Sequence, residues 1–169
     1  MMDEYQQRIV GIVNSYVGCS LSNRKDELAE LICFPGDDPE QDVLIRTNCA
    51  MFALAVWRKV GVQHELLDGP YKIGMAMAWV LQIARDKQAL VRATSTIEVP
   101  PPGALMHYAN DGKNNDHVEF CLSEPNALRQ IEHAGGGRGN NAIGAGVGMW
   151  SWNYGRPLQH WVDATKLLE

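Results

Sequence analysis

The sequence predicts an α+β fold, with N-terminal helices followed by an antiparallel β-sheet, and three observations carry that prediction. Apolar residues recur at helical spacing in the first half of the chain. "PPPG" at 100–103 then blocks helix and opens an extended section. Beyond it, short strand-like runs alternate with polar and glycine-rich segments. Helices first and strands second is an α+β order, with the sheet packed against a central helix.

Length and composition fit one domain. A chain of 169 residues can bury a single core and is short for two. Its 46% hydrophobic and 21% charged residues are those of a folded globular protein. A net charge of −5 gives no support for nucleic acid or an anionic membrane surface as the main partner.

Taken in order, Tyr5, Ile9, Ile12, Val13 and Tyr16 mark a helix over residues 3–17 that Gly18 ends. "RKDELAELICF" reads as a second helix and "PGDDPEQD" as an acidic loop, completing an N-terminal helical section over 1–46. In "RTNCAMFALAVWRKVGV", Thr47 and Asn48 are helix-capping residues and Gly61 is a stop. This central helix belongs to a segment over 47–68, and Cys49 falls in its first turn. Nearly every residue from Ala50 to Trp57 is apolar, so the helix is expected to be buried on several sides.

A third long helix is predicted from Tyr71 to Ala93, within an inserted segment over 69–99. Residues 100–169 hold the sheet and a C-terminal section. "ALMHYAN", "HVEFCLSE" and "LRQIEHA" are the strand candidates, the first two joined by the turn "DGKNND". "GGGRGNNAIGAGVG" has seven glycines in fourteen residues and reads as a mobile loop beside the cleft. It lacks the Gly-Lys-Ser/Thr ending of a phosphate-binding loop.

The chemistry centres on Cys49. A thiol attacks as its thiolate, and a helix N-terminus favours that negative charge. The helix alone supports a different reading, because Cys49 is in phase with Phe52, Ala53, Val56 and Val60 on one core-facing stripe. His117 alters the balance, since it starts a strand directly after a loop, where it can serve as a base. A third polar group must then orient the imidazole. His133 is the first choice, and Glu132, on the opposite face of the same strand, is the alternative. Together these are the parts of a cysteine-hydrolase site.

The order "NCAMFALAVWRKVGV", "PPPGALMHYA", "DHVEFCLSE", "IEHAGGG" resembles that of the NlpC-type peptidases, papain-like cysteine endopeptidases of bacterial cell-wall peptides. In that family the nucleophile helix opens on aspartate-cysteine-serine-glycine, and a histidine-valine strand is followed by one ending isoleucine-histidine-alanine. The resemblance spans Thr47 to Gly137. It implies a papain-like fold, with Cys49 as nucleophile, His117 as general base and His133 as the residue orienting it. The implied substrate is a peptidoglycan stem peptide, cut between D-glutamyl and a diamino acid, with no cofactor and no metal.

This chain departs from the family at Asn48, Ala50, Met51 and Ala104, and at Glu119, where the family has a small residue. The related CHAP amidases place a glutamate third, which would give that role to Glu132. Asn48, His107, Trp150 and Trp152 are candidate substrate-binding residues, the tryptophans through stacking on sugars or lining a peptide groove. A non-catalytic peptide- or glycan-binding domain on the same fold is the rival reading.

The four cysteines lack the spacing of a disulfide scaffold or zinc site and are expected to be reduced. No signal peptide and no membrane span are expected from the apolar runs. Cytoplasmic synthesis is expected, with phage lysis or a dedicated secretion system carrying the enzyme to the wall. An inhibitor or immunity partner is not specified by the sequence.

Overall fold

The computed structural model of the chain describes residues 2–46, 48–94, 98–108, 116–138, 142–153 and 156–169, side chains at 45, 46, 138, 152 and 153 excepted. Helix α1 (Glu4–Tyr16) begins at Asp3, whose carboxylate accepts from the Gln6 N–H at 2.8 Å while the Gln6 side chain accepts from the Asp3 N–H at 2.9 Å. Helices α2 (Lys25–Ile32), α3 (Pro39–Arg46), α4 (Cys49–Val60), α5 (Glu65–Asp68) and α6 (Ala76–Asp86) follow. The strands are β1 (Leu90–Arg92), β2 (Leu105–Tyr108), β3 (His117–Cys121), β4 (Ile131–Arg138), β5 (Ala142–Gly148), β6 (Trp152–Asn153) and β7 (Arg156–Val162), before a final helix α7 (Ala164–Leu167). None of the described helices is long and apolar enough to cross a membrane.

The architecture is α+β. The strand order is β1-β7-β2-β3-β4-β5, every pair is antiparallel, and β6 forms a short ribbon on β7. Helix α4 packs on β3 and β4 and is flanked by α1, α2 and α6. Residues Ala50 to Trp57 are all buried, as a helix without a polar face requires. The main core joins these helices to one sheet face through Leu105, Val118, Phe120, Ala134 and Val162. A smaller cluster of Met106, Tyr108, Cys121, Ile131 and Trp150 covers part of the opposite face.

Three local expectations are corrected. "PGDDPEQD" is not all loop: Asp38 Oδ1 accepts from the Glu40 N–H at 2.9 Å, and Pro39 occupies the first position of α3, a helix-start pair hidden by the acidic composition. The helix predicted over Tyr71–Ala93 is shorter. It starts at Ala76, gives way at Gln88 (φ 53°), and yields Leu90–Arg92 to the sheet edge, where they pair with Val162, Trp161 and His160. Tertiary pairing overrides local helix preference there. The glycine-rich run lies largely in β4 and β5, which pair from Ile131↔Gly148 to Arg138↔Ala142. Thr47, the turn residues 111–115 and 139–141, and Tyr154 lie outside the described residues.

Gly11 shows what a glycine without a structural task does. It lies exposed inside α1, and a Cβ there would meet nothing within 4 Å. Gly11→Ala is expected to stabilise the protein by about 0.5–1 kcal/mol, raising Tm by roughly 1–4 °C in thermal melts.

Candidate active site

The β3–β4 ladder contains two pairs, Phe120↔Ala134 and Cys121↔His133, and stops there although β4 continues along β5. The start of α4 sits beside the strands where that ladder ends. A Cβ on Gly136 would stand 2.6 Å from Asn48 O and 3.0 Å from Phe52 Cβ, so β4 and the helix meet backbone to backbone. Asn48 is the N-cap, its side-chain oxygen accepting from the Met51 N–H at 2.9 Å. The cap fixes the first helical position, and Cys49 occupies it.

Alternation along β3 divides its side chains between the two faces. Val118 and Phe120 enter the helix-facing core, while His117, Glu119 and Cys121 take the other face. His117 lies beside Cys49, and the two side chains share a hydrogen bond. His117 Nε2 donates to Glu119 Oε1 at 2.9 Å, which assigns the thiol contact to Nδ1. The imidazole also stacks on Tyr108, with ring centroids 6.4 Å apart, and the Tyr108 hydroxyl donates to Trp150 O at 3.0 Å.

Glu119 is fully buried, and its second oxygen, Oε2, contacts His133 Nδ1. His133 sits diagonally across the β3–β4 ladder from Glu119 on the same face, reached by the pairing of His133 with Cys121. A Cβ on Gly135 would stand 2.9 Å from Glu119 Cγ, so glycine is needed beside the glutamate stem. The carboxylate is thus held between two imidazoles against bare backbone.

The electrostatics follow from these contacts. Burial pushes the Cys49 thiol up, but the His117 hydrogen bond and charge, with backbone hydrogen bonds from Val118 and Ala50, bring it below its ordinary value. Burial opposes charge on His117, yet its contacts with Cys49 and Glu119 raise its pKa to about 9. Burial alone would raise the Glu119 pKa; the two imidazoles hold it well below the usual carboxylate range. The other cysteines contrast with this. Burial pushes Cys121 up to about 12, and it also raises Cys19. All four cysteines are free thiols.

The structure brings Cys49 and His117 together and joins His133 to them through Glu119. Glu132 is exposed on the opposite face of β4, paired with Val147, and is not the carboxylate on His117. His107 is 3% exposed and shares the face of Val118, stacked on His160 with Nε2 3.2 Å from Asp116 Oδ2, so it does not line the His117 face. Trp150 is 1% exposed beneath Tyr108 and serves packing. Trp152 lies in β6, with its side chain outside the described residues. Glu119, which the sequence marks only as a departure from the family pattern, contacts both His117 and His133. Its signal was a charged residue two positions after the candidate base, in an otherwise apolar strand, hence on the same face.

Among the described residues no group of three or more His, Cys, Asp or Glu side chains could hold a metal ion. Comparison with family models and with curated proteins finds no match.

Proposed function

We propose that the protein is a cysteine hydrolase of amide bonds, with Cys49 as nucleophile, His117 as general acid and base, and Glu119 as the group orienting His117. One observation carries this reading: a thiol at a capped helix start shares a hydrogen bond with an imidazole whose other nitrogen is anchored on a buried carboxylate. The lowered thiol and the raised imidazole both shift in the direction that favours a thiolate–imidazolium pair.

The thiolate attacks the amide carbonyl, and the tetrahedral oxyanion is stabilised at the helix start. Asn48 already engages the Met51 N–H, and Ala50 backs the sulfur, so among the described residues the Cys49 N–H is the first-turn donor we assign to the oxyanion. The imidazolium gives its proton to the departing amine as the C–N bond breaks. Neutral His117 then takes a proton from water, whose oxygen attacks the thioester and returns the thiol.

The substrate class we propose is a peptidoglycan stem peptide, cut between D-glutamyl and the diamino acid. The order of the cysteine helix, histidine strand and "IEHA" strand supports it. The rival glycan-binding reading loses one support, because Trp150 is buried and cannot offer a stacking face.

Iodoacetamide at neutral pH is expected to modify Cys49 ahead of Cys19, Cys33 and Cys121, and His117→Ala should slow that reaction about tenfold or more. The ion pair exists above the lowered thiol pKa and below the imidazole pKa, so hydrolysis should fall as the pH rises through about 9. Mass spectrometry of soluble peptidoglycan fragments reads the cleavage, with Cys49→Ala as the blank. Even labelling of all four cysteines defeats the hydrolase reading, while selective labelling without fragment cleavage defeats only the cell-wall substrate.

A further inference from the structure

We infer that His133 is a positioning residue that acts on His117 through Glu119. The inference rests on the hydrolase reading for its consequence, and on the geometry of one carboxylate for its content. Glu119 presents Oε1 to His117 Nε2 and Oε2 to His133 Nδ1, and no side-chain surface of Glu119 reaches solvent. A buried carboxylate with one oxygen undonated is costly, and it relieves that cost by turning or by taking up a proton. Either change removes the acceptor that keeps the His117 proton on Nε2.

His133 prevents both changes. Its Nδ1–H fixes Oε2, and Gly135 closes on the glutamate stem from the strand beside it. The far nitrogen, Nε2, faces β5, 3.4 Å from where a Cβ on Gly148 would stand, so the neighbouring strand leaves the ring room in this orientation. His117 therefore keeps Nδ1 as the nitrogen that receives the thiol proton because His133 holds the carboxylate still. This is a different task from direct contact with the base.

The test uses asparagine and glutamine at position 133. The amide nitrogen of asparagine falls near the place of Nδ1, and that of glutamine near Nε2. NMR titration of the His117 ring reads the result without reference to any substrate. His133→Asn is expected to keep the wild-type titration. In His133→Gln the proton affinity of His117 should fall about tenfold, moving the midpoint to lower pH. In the wild type, the His133 Nδ1–H should appear as a low-field, slowly exchanging resonance, which requires no variant. Equal titration in all three proteins, equal loss in both variants, or the absence of that resonance overturns the inference. A purely structural role would lower Tm and leave the His117 titration unmoved. If Cys49 is unreactive in the wild type, the hydrolase reading fails instead, and the two failures are separable.

Discussion

Glu119→Gln is expected to fold and to lose about 10³-fold or more in hydrolysis, by analogy with loss of a buried carboxylate behind a catalytic histidine. A carboxylate accepts from both His117 Nε2 and His133 Nδ1, whereas a carboxamide has one acceptor and one donor. One of the two imidazoles must then present a lone pair and move its proton to the other nitrogen. When that ring is His117, Nδ1 carries the proton and cannot accept one from the thiol. The lost negative charge also withdraws a support of the His117 pKa, so the alkaline limb of activity should move below about 9. Stability responds with the opposite pH sense. The Glu119 pKa is depressed in the folded protein, so its contribution is present above the ordinary value of 4.5 and is lost as the pH falls below it. Urea unfolding of the wild type should therefore weaken in acid, and the glutamine variant should show a flatter profile there.

Gly136→Ala is expected to damage the site from the other side. The added Cβ would stand 2.6 Å from Asn48 O and 3.0 Å from Asn48 C, both backbone atoms at the start of α4. A flexible side chain could swing aside, but a capped helix start must shift as a body. Overpacking of this kind costs about 1–3 kcal/mol. Displacing Cys49 by even a fraction of its distance to His117 adds a loss on the order of 10²-fold in turnover. Chemical denaturation and turnover of the same preparation separate the two effects. A variant with wild-type stability and wild-type turnover would show that β4 and α4 do not constrain each other at this point.

Much of the fold was legible because local signals agreed. Asn48 and Gly61 bracket α4, its unbroken apolar run implies burial on several sides, and the Gly61 αL conformation (φ 98°) is what the stop signal implies. Strands β2 and β3 were legible from their residues. The glycine run was not, because β4 and β5 are held by each other and by the close approach of Asn48 and Glu119, which favours residues with no side chain and low strand preference. Likewise the edge strand Leu90–Arg92 exists through its partner β7 and has no local mark of its own.

The candidate site was legible in its ends and not in its middle. Cys49 announced itself by its place at a helix start, and His117 by its place at a strand start. Glu119 reads in sequence as an intrusive charge, and becomes an acceptor only when β4 brings His133 alongside it. The opposite faces of Glu132 and His133 followed from strand alternation. The burial of Trp150 depends on contacts from Tyr108, Cys121 and Ile131, which no neighbouring residue in sequence could indicate.

The early end of the β3–β4 ladder gives Cys49 a history. In an unfolded chain all four thiols are alike, each near the ordinary cysteine pKa. Folding separates them: enclosure raises the pKa of Cys19 and Cys121, while His117 and the Val118 backbone lower that of Cys49. The proposed nucleophile is a product of tertiary assembly. On the proposed reading, an electrophile met before the sheet has closed on the helix finds no preferred target, and one met afterward finds Cys49 favoured over the enclosed Cys19 and Cys121.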